Sequence, residues 1–187
     1  FKKSESIEGL DTEYRNTDGP LKLSRTENGN ILSKVYLDAA KEAGYEINND
    51  MNGYKQEGFG LMDTTIFDGK RQSTSVTYLH PIKQRQNLTL ITNIQVLKII
   101  IENSVAIGVE IKNKNKLKKI FADKEVLLSA GAINSPQILM LSGIGPEEEL
   151  KNHNIKIISA LNGVGKNLQD HLETYVQYEC TKPVTLY

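Results

Sequence analysis

The sequence contains three histidines and one cysteine, the residue types most often used as metal ligands and as catalytic bases or nucleophiles. Of its three histidines, His80 precedes a proline, His153 ends a predicted helix and His171 ends a polar run. None stands at metal-ligand spacing from a cluster of cysteine, histidine or carboxylate. The single cysteine, Cys180, excludes an internal disulfide framework. We therefore predict no metal site and no catalytic residue within this sequence.

A turn of small residues is the strongest candidate for a binding site. The apolar run 126–128 leads into Ala130, Gly131 and Ala132, and a predicted helix follows. A buried strand that delivers its backbone to a helix N-terminus forms a concave site for cofactors. Residues with almost no side chain let a flat or phosphorylated ligand approach the backbone closely. The alternative is that the turn serves packing alone, as in many folds.

The first half of the sequence predicts one helix followed by a long loop. Residues 1–25 are polar and rich in turns, so we expect little core there and only a brief strand at 21–23. Apolar residues at helical spacing predict a helix over 31–43 that stops at Gly44. Glycine and asparagine then recur, which predicts an ordered loop with short extended pieces over 48–69.

The second half predicts a strand meander followed by two helices. Runs rich in β-branched residues predict five strands, at 88–92, 95–101, 105–111, 117–122 and 125–129. The lysine-rich run 112–116 is interpreted as an exposed hairpin turn. Ser135 is expected to cap a helix that starts at Pro136 and runs to about Leu141. A short acidic helix is predicted over 147–152, a turn at 162–165 and a last strand over 175–180.

Composition narrows the class of protein. Basic and acidic residues balance at 23 each, without long runs of one sign, which argues against a nucleic acid or an anionic membrane as partner. The sequence is 39% hydrophobic, enough for a globular core, yet it contains no apolar run long enough to span a membrane. It begins without a methionine, and we expect an internal piece of a longer chain.

The run from Gly131 to Gly145, GAINSPQILMLSGIG, closely resembles the second signature of the glucose-methanol-choline (GMC) oxidoreductase family. Further segments resemble that family in the same order: 71–81 with 85–88, the strand around Val96, and 163–171. The opening FKKSE, the run at 19–21 and the helix ending at 43–46 are most similar to the insect branch of FAD-dependent glucose dehydrogenases.

The resemblance implies an α/β (α+β) fold in which an FAD-binding domain is interleaved with a substrate domain, only part of it present here. It assigns residues 1–70 to the substrate domain and connecting segments, 71–170 to the FAD-binding domain, and 171–187 to the return into the substrate domain. It also implies oxidation of a small alcohol or sugar by hydride transfer to FAD, with a quinone or oxygen as electron acceptor.

Five cofactor-binding residues follow from the same resemblance. It places the backbone of Val96 at the adenine end of FAD, Ala130 and Gly131 against the cofactor, and Asn167 and Asp170 in the flavin-side wall. An ordinary core strand residue is the alternative for Val96, and the two roles are compatible because a backbone contact leaves the side chain free to pack.

Two features of a complete family member are missing from this sequence. The run 163–168 starts like a dinucleotide fingerprint but ends in leucine and follows no βαβ unit, so the fingerprint is expected before Phe1. The family's catalytic histidine and its partner are expected beyond Tyr187, so this piece is not expected to turn over alone. A nicotinamide-dependent dehydrogenase is a remote option, because its glycine fingerprint and ribose-binding acid are absent.

Three expectations stay open at this stage. The alternative to an enzyme is a non-enzymatic relative that retains the fold as a structural or binding module without flavin. Secretion of the parent protein is expected from the insect resemblance alone. Asn87-Leu88-Thr89 matches an N-glycosylation acceptor, but it opens a predicted strand and is expected to be largely buried.

Overall fold

The computed structural model describes residues 2–10, 13–25 and 29–184. The chain divides into two compact units, Phe1–Leu90 with Val176–Tyr187, and Ile91–Tyr175. Within the described residues, no helix is long and apolar enough to cross a membrane.

The first unit contains short strand pairs and one α-helix. Strands β1 (Glu5–Ser6) and β2 (Leu21–Lys22) pair in parallel, and β3 (Ser24–Arg25) pairs antiparallel with β4 (Asp63–Thr64). Strands β5 (Ile66–Phe67) and β6 (Lys70–Arg71) form an antiparallel hairpin, followed by a π-helical turn, Ser75–Leu79, and a 3-10 turn, His80–Ile82. These short pieces confirm the predicted strand near 21–23 and the loop with extended pieces.

Helix α1, Ile31–Glu42, confirms the helix predicted from apolar spacing. The Asn30 side chain accepts a hydrogen bond from the Leu32 amide at 2.8 Å, which satisfies one of the free N–H groups of the first turn. Gly44 ends the helix with a φ of +84°, a left-handed conformation that glycine adopts without steric cost.

The expectation of little core before residue 25 is wrong, because this segment holds the buried Arg15. Its guanidinium donates to both carboxylate oxygens of Glu5, at 2.8 and 3.1 Å, and to Asp63 Oδ2 at 3.0 Å. It also pairs with Asp50. Burial lowers the pKa of Arg15, but the hydrogen bonds to Glu5 and Asp63 and the charge of Asp50 outweigh burial and raise it overall. Polar residues thus form a core by mutual pairing, which apolar periodicity does not reveal.

The second unit contains a three-stranded antiparallel meander. Strands β7 (Gln95–Glu102), β8 (Val105–Asn113) and β9 (Lys116–Phe121) lie in chain order. Asn103 and Ser104 both have positive φ, at 49° and 64°, as a tight hairpin requires. The second turn lies between Asn113 and Lys116, which confirms the predicted lysine-rich hairpin.

Three of the predicted strands, 88–92, 125–129 and 175–180, are not formed. A strand is held by hydrogen bonds to a neighbouring strand, and no described strand pairs with these segments. A β-branched composition is therefore not sufficient to make these segments form strands. Asn87 is exposed in a turn, so the expected strand and burial at this sequon are also wrong.

The meander is followed by helix α2 (Gly131–Leu141), β10 (Ile144–Gly145), helix α3 (Glu147–Asn152) and β11 (Ser159–Ala160), and β10 pairs in parallel with β11. The ends of both helices near Leu141 and Asn152 were predicted correctly. The predicted start of α2 is wrong: the helix begins at Gly131, so Ser135 and Pro136 lie inside it. The buried side chains Ile99, Ile111, Ile138 and Leu150 form the core of this unit.

Candidate cofactor-binding site

The first turn of α2 presents open backbone. Gly131 has a φ of +87°, and a Cβ built on it would meet no atom within 4 Å. Ser135 Oγ accepts a hydrogen bond from the Ala130 amide at 3.1 Å, so this serine holds the turn from inside the helix rather than capping a later start. The geometry leaves space for a ligand against the small residues of the turn.

The segment 165–169 lies opposite one face of α2. A Cβ built on Gly165 would lie 3.6 Å from Met140 Cε and 3.9 Å from Pro136 Cβ, so the segment passes close to the helix. Gly165 and Asn167 adopt positive φ values of 77° and 57°. The Lys166 amide between them donates to the Gly163 carbonyl at 3.1 Å, which ties this wall to the preceding turn.

The two walls enclose a cleft of about 620 Å³. This volume is within the range of cofactor and small-molecule sites. Apolar residues of α2 form one wall, and the other carries amides and one lysine; together the lining residues are Ala132, Ile133, Pro136, Met140, Gly165, Lys166, Asn167, Leu168 and Gln169. Ile133 is 71% exposed, so much of the apolar wall is free to be covered by a flat ring system. An apolar wall opposite a polar one fits part of a flavin nucleotide.

The structure brings together some of the residues predicted to bind the cofactor. Ala130 and Gly131 directly precede Ala132 in the cleft wall, and Asn167 lines the opposite wall. Asp170 is exposed, and its carboxylate accepts the His171 amide at 2.8 Å. Val96 is half-buried in β7, where it pairs with Ile111 of β8. Of the five predicted residues only Asn167 lines this cleft itself, and the cofactor contacts of all five stay predictions.

Sequence reasoning missed several lining residues. Ile133, Pro136 and Met140 recur at the spacing of one helix face, which would have identified them had the helix start been placed correctly. Lys166 and Gln169 lie in the family-like segment 163–171, for which the resemblance predicts only Asn167 and Asp170 as cofactor-binding residues.

Ser142 positions α2 on the meander. Its hydroxyl is buried, accepts the backbone N–H of Ile99 in β7 at 2.8 Å and donates to the Ile138 carbonyl of α2 at 2.5 Å. This one side chain therefore joins the C-terminal end of α2 to the edge of the sheet. The sequence indicated only a helix stop at this position.

No histidine is among the residues that line this cleft. His153 Nε2 lies 3.1 Å from Glu149 Oε1 on the surface of α3, whereas His80 and His171 are exposed. Over the described part of the chain, no three histidine, cysteine or carboxylate groups converge as metal ligands would.

Comparison with known proteins identifies relatives for nearly the whole chain. The GMC oxidoreductase family model matches residues 2–173. The mitochondrial choline dehydrogenase of Homo sapiens is 47% identical, and the oxygen-dependent choline dehydrogenase of Brucella anthropi is 46% identical. Both matches cover 100% of this chain and respectively 32% and 34% of the relative, so the chain spans about a third of their length. The expected likeness to insect glucose dehydrogenases is not confirmed, since these relatives are choline dehydrogenases.

Solved structures share the fold. An FAD-dependent oxidoreductase from Chaetomium thermophilum matches with a TM-score of 0.81 and 27% identity, over 87% of this chain and 31% of that protein. Pyridoxine 4-oxidase from Mesorbium loti matches with a TM-score of 0.78 and 25% identity, over 87% of this chain and 32% of that protein. These matches confirm the mixed α/β fold class and FAD as the cofactor of the group. Since the family model matches well over half of its residues, the chain belongs to the GMC oxidoreductase family.

Proposed function

We propose that this chain is part of an FAD-dependent oxidoreductase that oxidises the CH–OH group of a small amino alcohol of the choline type. The observation that carries the proposal is the identity of 46–47% with choline dehydrogenases, sustained over the entire chain. Substrate specificity depends on pocket contacts. The likeness to choline dehydrogenases is what favours this substrate class over the sugar expected from the insect resemblance.

The cleft between α2 and residues 165–169 is our candidate for the contact with FAD. Ala130, Gly131 and Ala132 would admit the cofactor close to the helix N-terminus, where free N–H groups favour negative charge. The apolar face at Ile133 and Met140 would pack against a ring, and Asn167 would offer an amide from the opposite wall. When bound, FAD supplies the acceptor for the hydride that leaves the alcohol carbon. This chain's residues bind and orient the cofactor.

The electron acceptor and the location of the protein are further proposals. The relatives are named a dehydrogenase and an oxygen-dependent dehydrogenase, so a quinone and oxygen both remain candidate acceptors. Secretion stays a prediction; the human relative is named as a mitochondrial protein. The domain division proposed from the family places residues 71–170 with the FAD-binding part.

Anaerobic absorption spectroscopy of the full-length protein tests the proposal. We expect flavin bands that bleach when choline is added and that persist when glucose is added. Propyltrimethylammonium is the matched control, because it keeps the cationic group but lacks the hydroxyl to be oxidised. Bleaching by glucose but not choline would overturn the substrate class. A folded protein that binds no flavin after reconstitution with FAD would contradict the enzyme and favour the non-catalytic module.

A further inference from the structure

The charge of the candidate FAD cleft comes from one residue. Among the nine described residues that line it, Lys166 is the sole cation, and none is acidic. Its neighbours on the same wall, Asn167 and Gln169, are neutral amides. An anionic ligand in this cleft would therefore meet a single positive side chain.

Acidic residues lie near Lys166 but form no ion pair with it within the residues that the structure describes. It also lines an adjoining cavity together with Glu147 and Glu148, at the start of α3. Glu147 is already ion-paired with Lys151, whose hydrogen bond and charge lower the pKa of Glu147. Lys166 makes no ion pair within 4 Å in the described part of the chain. No salt bridge therefore competes with an occupant of the cleft for this charge.

The backbone holds Lys166 in this position. It lies between Gly165 and Asn167, which both adopt left-handed conformations, and its amide is bonded to the Gly163 carbonyl. Gly165 lies close to Met140 and Pro136 of α2 and lines the same cleft, so the backbone of Lys166 is at the edge of the cleft.

We propose that Lys166 is a positioning residue that attracts and orients the anionic FAD through its charge. This inference rests on the proposed function, because it assigns a role within the same cleft. The diphosphate of FAD carries negative charge, and a cation within about a Debye length of it, ~10 Å at 0.1 M salt, stabilises the complex. The side chain is exposed, so the effect is of the size of a surface ion pair and is screened by salt.

FAD titration of the full-length apoprotein at low and high ionic strength tests this role. We expect Lys166→Gln to raise the Kd for FAD about two- to fivefold at low salt, and Lys166→Glu to raise it further. Lys166→Arg should restore wild-type binding, and the differences should vanish near 1 M salt, where the Debye length is about 3 Å. A purely structural role would not produce this salt dependence.

Lys156→Gln is the matched control, since it removes one exposed lysine of the same unit that does not line the cleft. Equal Kd values for wild type, Lys166→Gln and Lys166→Glu at low salt would overturn the proposal, as would an equal loss in Lys156→Gln. A wild-type protein that does not bind FAD at all would instead contradict the proposed function.

Discussion

Ser142 shows how one buried hydroxyl organises this chain. The hydroxyl accepts a hydrogen bond from the Ile99 amide, 43 positions earlier in the sequence. It donates a second hydrogen bond to the Ile138 carbonyl, near the end of α2. Because the Ile99 amide lies on the edge of β7 away from β8, its partner is a side chain rather than another strand. This contact helps to fix α2, and with it the cleft wall that α2 carries, against the sheet.

Replacing Ser142 by alanine is expected to destabilise the fold by about 1–3 kcal/mol, because a buried N–H group loses its acceptor. Ser135→Ala is the matched control. Its hydroxyl is only half-buried and accepts one hydrogen bond from the Ala130 amide, so we expect a smaller loss. Urea unfolding of the full-length protein, without added FAD, measures both. A control variant as unstable as Ser142→Ala would contradict the special role of Ser142.

Helix α2 shows what propensity rules alone miss. Serine followed by proline is a favourable helix start, yet the helix begins a turn earlier at Gly131. The small residues allow that earlier turn, and Ser135 reaches back to the Ala130 amide instead of capping its own helix. The Ser135-Pro136 pair is a local helix-start signal. The hydrogen bond from the Ala130 amide to Ser135 Oγ is instead consistent with the earlier start at Gly131.

The two glycines that flank α2 predict different outcomes for the same substitution. Both have a φ near +87°, but a Cβ on Gly143 would lie 2.4 Å from the Lys156 carbonyl oxygen, whereas one on Gly131 would meet open space. Gly131→Ala should therefore cost only left-handed strain, about 1–2 kcal/mol. Gly143→Ala adds a backbone clash and should cost about 2–5 kcal/mol. Thermal or urea unfolding distinguishes them.

The Gly131→Ala variant also tests the cofactor cleft. If FAD occupies the open space at Gly131, Gly131→Ala should weaken FAD binding out of proportion to its modest loss of stability. FAD titration of the folded variant measures this effect. Unchanged binding in Gly131→Ala would indicate that the turn serves packing alone.

The ionic core of the first unit is assembled from distant parts of the chain. Arg15 bonds to Glu5, Asp50 and Asp63, the last two 35 and 48 residues away. Its side chain is 2% exposed. A buried ion pair is weak evidence for net stability. Removing one partner, however, leaves the remaining charges buried and unpaired, which is destabilising. Here three carboxylates would be left with Arg25, whose Nε lies 3.4 Å from Asp63 Oδ1.

Arg15→Met is therefore expected to destabilise this unit by about 3–5 kcal/mol. Arg25→Met is the comparison, because Arg25 makes one longer contact and is 29% exposed; we expect about 1 kcal/mol or less. Chemical denaturation of the full-length protein, supported by limited proteolysis within the first unit, measures the difference. Similar stability of the two variants would show that the network is not a principal support of this unit.

Local pattern in the sequence was sufficient to place α1, the hairpins of the meander and the short helix at 147–152. Each is held by contacts between residues near in sequence, so spacing and turn chemistry contain the needed information. Other features depend on which distant groups the fold brings into contact. These are the absence of strands at 88–92 and 125–129, the start of α2, the burial of Arg15 and the position of Lys166 in the cleft lining. Hydrogen bonds and ion pairs form only when both partners are adjacent, and adjacency between distant residues is a property of the folded chain.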